Sequence, residues 1–526
     1  MVVPELKAWR AARPRLARVA RTARPHVVRA ARTVRPRLAR WTRAVRPRPA
    51  GRGAWRYTAG AVSAGLALAA GVAAVAGPWD SSGQRTAERD RAAAQGPAGG
   101  ADHGDGSDSS GAGDPQTAIS AAPVLVGLGR SANTVRSASG GPALADVLGP
   151  LLADPALGAR HGAAVVDIAT GRRLFGEGTD DALTPASTTK IATATAALSA
   201  LGADHRLTTR AALEPGTGEL VLVGGGDPTL TARKDARGWA SLRTLAANTA
   251  AALKKRGTSR VTLSYDTTLY AGTGLHPIGV NDNLAAVSAL TADEARTDGS
   301  TSGPAPRAAD PAADAARSFG RFLNAQGITT TAPGPSKATA RATTLAAVSS
   351  PPLSALVERM LTNSDNDIAE ALARQTAAAT GRRPDFQGGA AAIADRLARL
   401  HLPLAGAAFH DGSGLDRSDR LTADLLTALL TKAGDPAHPE LRPVLTGLPV
   451  AHFTGTLSGR YKGGAAGVVR AKTGTLTGVN TLAGTVVDRD GRLLAFAFLA
   501  QDTTGPDTAQ AALDRTATAL AGCGCR

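Results

Sequence analysis

A serine and a lysine three positions apart are the chain's first candidate for catalysis. Ser187-Thr188-Thr189-Lys190 opens an Ala-rich run without helix breakers, which predicts a buried helix over residues 187–203. Residues at i and i+3 share one helix face, so the lysine amine can reach the serine hydroxyl. A lysine activates serine when a desolvated, electropositive site lowers its pKa. The pattern indicates acyl transfer, although a helix-capping serine explains the same residues.

Two further motifs follow along the chain. Ser364-Asp365-Asn366 is predicted to lie in a loop, and Lys472-Thr473-Gly474-Thr475 on a strand that begins at Val468. On that strand Lys472 can hold a substrate carboxylate, while Gly474 leaves room for a peptide along the strand edge. Penicillin-binding proteins and class A β-lactamases share the set S-x-x-K, S-D-N and K-T-G. All three occur here, in that order.

The region from about residue 142 to 526 resembles the class C, low-molecular-mass penicillin-binding proteins, which are D-Ala-D-Ala carboxypeptidases and endopeptidases. The long separation between Ser187 and Ser364 is similar to that produced by the inserted domains of this class. His452 departs from the pattern, since a glycine is usual there. The segments that carry the resemblance are Pro185-Ala186-Ser187-Thr188-Thr189-Lys190, Gly225-Gly226-Asp227-Pro228-Thr229-Leu230, Asp411-Gly412-Ser413-Gly414-Leu415 and Gly455-Thr456-Leu457.

The resemblance implies a catalytic role for four side chains. Ser187 would attack the peptide bond after the penultimate D-alanine and form an acyl-enzyme. Lys190 would take the serine proton. Ser364 would relay that proton to the leaving amine, and Asn366 would orient the substrate amide.

The K-T-G strand is assigned to substrate binding by the same resemblance. Lys472 and Thr473 would bind the terminal carboxylate, Gly474 would border the bound peptide, and the backbone N–H groups of Ser187 and Thr475 would hold the oxyanion. No metal or cofactor is implied. Peptidoglycan peptides are the expected substrates, and β-lactam antibiotics are the expected covalent inhibitors.

Two other functions stay open on the sequence. A serine β-lactamase shares the motifs but must hydrolyse its acyl ester quickly, which a glutamate after S-D-N achieves in class A. No E-x-x-L-N string occurs in this chain, which argues against that reading. A non-catalytic cell-wall-binding scaffold could keep the fold, but Ser187, Lys190 and Lys472 are all intact.

Strand patterns at both ends of this region enclose a helical middle, so one sheet should be closed by the two chain ends. We therefore expect a mixed α/β (α+β) fold of the penicillin-binding, transpeptidase-like type, in which an antiparallel sheet is flanked by helices. The predicted elements are a hairpin over 161–167 and 173–175, strands over 468–471, 481–488 and 493–500, and a terminal helix over 508–521.

The domain boundaries follow from these elements. Residues 142–212 and 340–526 are predicted to form the catalytic domain. Residues 213–339 are predicted to form a smaller inserted domain, which contains a low-complexity stretch near 291–316.

The chain before residue 142 is predicted to contain a targeting or membrane-anchoring segment and a linker. Residues 1–56 are basic and poor in apolar side chains, which predicts a disordered cytoplasmic segment. Residues 57–79 carry no charge and are long enough to cross a bilayer, either as an anchor or as a cleaved signal. The Gly/Ser/Ala/Asp-rich residues 80–141 predict a flexible linker. The positive-inside rule then predicts membrane attachment through 57–79, or secretion, with an extracytoplasmic catalytic domain.

The net charge of +17 is concentrated in the first segment. Residues 1–56 hold 17 of the 60 Lys and Arg residues and one of the 43 Asp and Glu residues. The rest of the chain is therefore nearly neutral, and a nucleic-acid partner is not expected.

Overall fold

The computed structural model describes residues 143–524 of the chain. The predicted basic segment (1–56), membrane or signal segment (57–79) and linker (80–141) lie outside the described residues. Within 143–524, no helix combines the length and the apolar character that a bilayer crossing requires.

Ten α-helices and eleven strands form this described region. In chain order the helices are α1 (Leu144–Leu152), α2 (Thr189–Leu201), α3 (Leu242–Lys255), α4 (Pro311–Ala325), α5 (Leu353–Asn363), α6 (Asn366–Ala379), α7 (Phe386–Arg399), α8 (Ala423–Gly434), α9 (Pro443–Thr446) and α10 (Pro506–Gly522). The strands are β1 (Arg160–Asp167), β2 (Arg173–Glu177), β3 (Thr208–Leu213), β4 (Glu219–Val223), β5 (Arg260–Asp266), β6 (Thr329–Thr330), β7 (Gly334–Pro335), β8 (Thr343–Ser349), β9 (Val469–Leu476), β10 (Val479–Val487) and β11 (Leu493–Gln501).

The part of the chain that is predicted to be catalytic contains an antiparallel five-stranded sheet in the order β2-β1-β11-β10-β9. The first and last strands of the described region pair directly, from Arg160 opposite Gln501 to Asp167 opposite Leu494. The prediction of one antiparallel sheet closed by both ends of the chain and flanked by helices is therefore confirmed.

Both faces of this sheet are buried, and β11 shows how one strand serves the two. Its Phe496 and Phe498 pack on the side of α1 and α10, in a cluster with Leu148 and Leu520. Its alternate residues, such as Ala497 and Leu499, face the helical layer. The period of two along the strand directs successive side chains to opposite faces.

Helix α2 runs through the middle of the helical layer. Its residues from Thr189 to Leu198 are all buried, whichever face of the helix they occupy. Their Ala and Thr side chains are small, so neighbouring helices and the sheet can approach it on all sides. The predicted buried helix is therefore confirmed, beginning with a short 3-10 turn at Ala186–Thr188.

A second sheet forms the inserted part, between α2 and α5. Its order is β6-β5-β4-β3-β8, with β7 also paired to β5, and α3 connects the parallel strands β4 and β5. Leu222, Leu245 and Phe319 lie in its own hydrophobic core. The sheet extends from Thr208 to Ser349, which is five residues before and ten residues after the predicted limits of 213–339.

Candidate active site

Ser187 lies in the tight turn that leads into α2. The preceding Ala186 has a left-handed backbone (φ 48°), which bends the chain sharply at this point. The Pro185 carbonyl accepts hydrogen bonds from the Thr188 hydroxyl at 2.7 Å and from the Thr481 hydroxyl of β10 at 2.9 Å. Helix and sheet thus hold the turn from two sides and fix the position of Ser187.

Lys190 is completely buried and brings its amine to Ser187. Its Nζ lies 3.0 Å from Ser187 Oγ, 2.6 Å from Asn366 Oδ1 and 2.6 Å from the Ser413 carbonyl oxygen. The amide and carbonyl oxygens can only accept hydrogen bonds, so they take two N–H groups. The remaining tetrahedral position faces Ser187 Oγ, and in a neutral amine it holds the lone pair. This is the geometry of a base directed at a hydroxyl.

Burial shifts Lys190 toward its neutral form. Desolvation lowers the pKa of Lys190 to about 8, against the opposing effect of the Asp411 and Glu370 carboxylates. At that pKa about a tenth of the amines are neutral at pH 7. The prediction that this site is electropositive was wrong. The charged groups near the amine are carboxylates, which raise its pKa, and desolvation is what lowers it.

The S-D-N motif joins α5 to α6 and meets both lysines. Ser364 ends α5 in a left-handed conformation (φ 58°), and the Asp365 side chain caps α6 by accepting from the Ile368 N–H at 3.0 Å. Asn366, the first residue of α6, donates from Nδ2 to the Asn283 carbonyl at 2.9 Å. That bond orients the amide so that its oxygen faces Lys190.

Lys472 is a second completely buried lysine, on β9. Its Nζ donates to Ser364 Oγ and to the Thr473 carbonyl, each at 2.8 Å. Desolvation and the neighbouring Lys190 lower the pKa of Lys472 well below its ordinary value. The amine therefore lies beneath Ser364 and Thr473, whose side chains border the cleft.

Gly474 allows a close packing contact that the sequence did not predict. A Cβ built at this position would lie 2.1 Å from Thr481 Oγ1 and 2.7 Å from the Pro185 carbonyl oxygen. The missing side chain therefore lets β9 pack directly against the turn that carries Ser187. Its contribution to a peptide path along the strand edge remains a prediction.

Two further motif loops support the three catalytic ones. The loop Asp411-Gly412-Ser413-Gly414-Leu415 presents the Ser413 carbonyl to Lys190, and a Cβ on Gly414 would lie 1.9 Å from the Ala186 carbonyl oxygen. In the loop Gly455-Thr456-Leu457, the Thr456 hydroxyl is hydrogen-bonded to the Thr473 hydroxyl at 3.0 Å. The first loop lies beneath Ser187, and the second borders β9.

A cavity of about 420 Å³ opens above these residues. Of the predicted site residues, Ser187, Ser364, Asn366, Thr473 and Thr475 line it. Lys190 and Lys472 lie below the lining, each bonded to one of its serines. The structure thus brings the three motifs to one cleft, with a lysine-bound hydroxyl on either side.

Comparison with known proteins agrees with this geometry. The model of the D-Ala-D-Ala carboxypeptidase 3 (S13) family matches residues 144–294 and 296–520. The chain belongs to this family. The predicted family, fold class and serine-type D-Ala-D-Ala carboxypeptidase activity are confirmed by that membership.

Individual relatives cover most of the described region. The carboxypeptidase Rv3627c of Mycobacterium tuberculosis is 37% identical over 391 residues, which are 72% of this chain and 83% of that protein. A D-alanyl-D-alanine carboxypeptidase of Actinomadura is 31% identical over 462 residues, 69% of this chain and 84% of that protein. In fold, the crystal structure of penicillin binding protein 4 from Haemophilus influenzae matches with a TM-score of 0.59 at 22% identity, covering 72% of this chain and 98% of its own.

One motif quoted for the family lies away from the cleft. Gly225 and Gly226 pack where the second sheet meets α6, and a Cβ on Gly226 would lie 2.1 Å from Gln375 Nε2. Neither glycine is among the residues that line the cavity. This motif therefore joins two parts of the molecule and does not contact the reacting groups.

Several cavity residues were missed in the sequence. Asn283, Arg296 and residues 302–304 come from the long segment 267–310 of the inserted part, which crosses to the S-D-N motif. Asn283 acts through its backbone carbonyl, which no side-chain pattern can reveal. The low-complexity composition near 291–316 concealed the rest.

Proposed function

We propose that Ser187 is the nucleophile and Lys190 its general base in the hydrolysis of D-Ala-D-Ala peptides. The observation that carries this assignment is the contact of Lys190 Nζ with Ser187 Oγ at 3.0 Å. Asn366 and Ser413 occupy the other two positions of the amine. Because those two groups can only accept hydrogen bonds, a neutral Lys190 has its lone pair directed at the serine proton.

Acylation then proceeds by a proton relay and one substitution. Lys190 Nζ takes the hydroxyl proton while Ser187 Oγ forms a bond to the carbonyl carbon of the penultimate D-alanine. The C–N bond breaks, and the leaving D-alanine amine receives a proton from Ser364, which is reprotonated with the proton that Lys190 took from Ser187. Ser364 Oγ accepts from Lys472, so its own hydroxyl proton can be directed into the cleft. Water then hydrolyses the ester.

Asn366 contacts the base Lys190 and can also bind the substrate. Its Oδ1 accepts from Lys190 and one of its two Nδ2 hydrogens is donated to Asn283. The second Nδ2 hydrogen is available to a carbonyl of the bound peptide. The oxyanion is assigned to the backbone N–H groups of Ser187 and Thr475, since such donors contribute about 3–4 kcal/mol each.

The substrate carboxylate is assigned to the Lys472 end of the cleft. Thr473 and Thr475 line the cavity there, and Gly474 between them keeps β9 close to Ser187. An arriving carboxylate would stabilise the charged form of the buried Lys472 amine through these hydroxyls and Ser364. Recognition of a free carboxylate favours carboxypeptidase action, and cross-linked stem peptides would be taken as endopeptidase substrates.

Peptidoglycan peptides are the proposed substrates and β-lactams the proposed covalent inhibitors. The family membership and the cleft both support this assignment. Peptidoglycan lies outside the cytoplasmic membrane, so the catalytic part is proposed to act there. Attachment through residues 57–79, or secretion after cleavage there, is the proposed route.

Labelling with a fluorescent penicillin tests the nucleophile. The wild-type protein should give a durable adduct, whereas Ser187→Ala should give none while it keeps the wild-type circular dichroism spectrum. Ser458→Ala, which alters an exposed serine, should label normally. A labelled Ser187→Ala protein would refute the assignment, and a wild-type adduct that is lost within seconds would favour a β-lactamase.

A further inference from the structure

The loop Asp411-Gly412-Ser413-Gly414-Leu415 is folded around two buried carboxylates that the mechanism above does not use. Its N–H groups point toward these carboxylates, while its Ser413 carbonyl points the opposite way, to Lys190. The loop therefore connects the base of the reaction to Glu370 on α6 and to Asp411. Both carboxylates are nearly inaccessible to solvent.

Glu370 is held by backbone donors of this loop. Its Oε1 accepts from the Ser413 N–H at 2.8 Å and from the Gly412 N–H at 3.1 Å. The Ser413 residue that donates to Glu370 also supplies the carbonyl on Lys190. Removing Glu370 would leave the buried Gly412 N–H without its acceptor, would leave the Ser413 N–H with only its longer bond to Asp411, and would let the Ser413 carbonyl move.

Asp411 differs because a side chain compensates its charge. It accepts from the N–H groups of Ser413 (3.1 Å), Gly414 (2.6 Å) and Asp416 (2.8 Å), and it lies 3.0 Å from His276 Nε2. The Ile278 N–H donates to His276 Nδ1 at 3.2 Å, which leaves the proton on Nε2, directed at Asp411. Asp411 is thus bound by amides and by an imidazole, whereas Glu370 is bound by the amides of the loop.

Several charged groups lie around Lys190 and Glu370. Lys190 faces the carboxylates of Asp411, Glu370, Asp365 and Asp419, and it also acts on Lys472. Glu370 in turn faces Asp411, His276 and Arg374. Of the carboxylates facing Lys190, Glu370 and Asp411 both accept from the N–H of Ser413, whose carbonyl holds that amine, and the bond to Glu370 is the shorter one, at 2.8 Å against 3.1 Å.

We propose that Glu370 is a positioning residue for the reaction: it fixes the Ser413 carbonyl on Lys190 and sets the proton affinity of that amine by its charge. The inference rests on the proposed role of Lys190 as the base. Without a carboxylate at this site, the ammonium form of Lys190 loses stabilisation, so a smaller fraction of the amine is protonated at a given pH.

Burial and charge also indicate that loss of the Glu370 carboxylate would lower the pKa of Lys190. Burial and the nearby Asp411 raise the pKa of Glu370 to about 7, and Glu370 is among the groups that oppose the lowering of the Lys190 pKa. Above neutral pH the ionised Glu370 keeps Lys190 a stronger base than burial alone would allow. A stronger base removes the serine proton more effectively once it is neutral.

The pH dependence of acylation by a penicillin tests the proposal in the full chain. Glu370→Gln keeps an amide oxygen for the two N–H groups but removes the charge. The midpoint of the rise in acylation rate with pH should move down by roughly one pH unit, and the rate at high pH should fall. Glu370→Asp should restore the midpoint, and it keeps the test possible if Glu370→Gln folds poorly. Glu358→Gln, whose carboxylate binds the Thr446 hydroxyl, is the matched control and should leave the midpoint unchanged.

Different results would contradict the role of Glu370 and the role of Lys190. If Glu370→Gln lowers the rate equally at every pH and leaves the midpoint in place, Glu370 has only a structural role and the proposal is wrong. If the wild-type protein itself shows no such rise, or Lys190→Ala keeps it, the assignment of Lys190 as the base has failed instead.

Discussion

The surroundings of Lys190 and of Lys472 are the informative contrast in this molecule. Both lysines are completely buried, and the amine of each lies within hydrogen-bond distance of a serine that lines the cleft. Lys190 lies among carboxylates, and its pKa is about 8. Within the described residues, the groups that act on the pKa of Lys472 include no carboxylate, and burial together with Lys190 lowers this pKa well below its ordinary value.

The difference assigns different tasks to the same residue type. An amine whose pKa lies near the working pH can exchange protons in each catalytic cycle. An amine held in an uncompensated buried site gains most from an incoming anion. We therefore infer that Lys190 performs proton transfer and that Lys472 receives the substrate carboxylate.

The largest expected effect on the comparison of the two lysines comes from the removal of Lys190. Because it takes the proton from Ser187, Lys190→Ala should slow acylation by about 100- to 10,000-fold. The loss should be similar for carboxylate-bearing and amidated acyl donors, as measured by stopped-flow acylation. A loss confined to donors with a free carboxylate would mean that the two lysines had been assigned in reverse.

The inserted part also contacts the region around Lys190 through an ion pair that a substitution can remove. Arg307 and Asp367 form a buried ion pair at 2.8 Å beside the S-D-N motif. Arg307→Ala leaves a buried carboxylate unpaired and should lower the free energy of unfolding by about 3–5 kcal/mol in denaturant titrations. Arg317→Ala breaks an exposed pair with Asp314 and should cost under about 1 kcal/mol. Equal effects of the two variants on the free energy of unfolding would argue against a stabilising role of the buried Arg307–Asp367 ion pair.

Removing Lys472 should discriminate between substrates. Lys472→Ala should reduce kcat/KM for peptides with a free terminal carboxylate by about 10- to 100-fold more than for amidated analogues. The reason is that the charged amine is stabilised by the carboxylate and by little else. Equal losses on both kinds of donor would show that Lys472 is structural or catalytic.

The smallest expected effect concerns His452, whose N–H donates to the Leu457 carbonyl of the loop Gly455-Thr456-Leu457. Its backbone is left-handed (φ 70°), which explains why glycine is usual at this position. His452→Gly should raise the free energy of unfolding by under about 1 kcal/mol, since relief of strain is partly offset by chain entropy. His205→Gly, at a residue without positive φ, should be destabilising. A destabilised His452→Gly protein would mean that the contact with the Phe453 ring outweighs the strain.

The predictable parts of this molecule are those in which local sequence determines structure. Strand β11 was predicted within one residue at its end, because its apolar run is long and bounded by turns. The S-x-x-K, S-D-N and K-T-G motifs were each predicted as parts of one site, and they line or underlie one cavity. Here the residue types and their spacing carry the chemistry.

The unpredicted parts depend on contacts between distant segments. Asn283 orients Asn366 through a carbonyl, and Glu370 supports Ser413 through N–H groups. Backbone groups occur at every residue, so such partners leave no signature in the sequence. The electrostatic surroundings of Lys190 were mispredicted for the same reason: the acids that surround it include Asp411 and Asp419, which are far away in the chain.

The pH dependence of acylation by a penicillin, compared among three proteins, tests the central claim most directly. The wild-type rate constant should rise with pH through a midpoint near the Lys190 pKa of about 8. Lys472→Ala should be slower but keep a clear rise, whereas Lys190→Ala should lose it. A wild-type rate that is flat between about pH 6 and pH 10, or a rise that disappears with Lys472 and survives the loss of Lys190, would contradict the account.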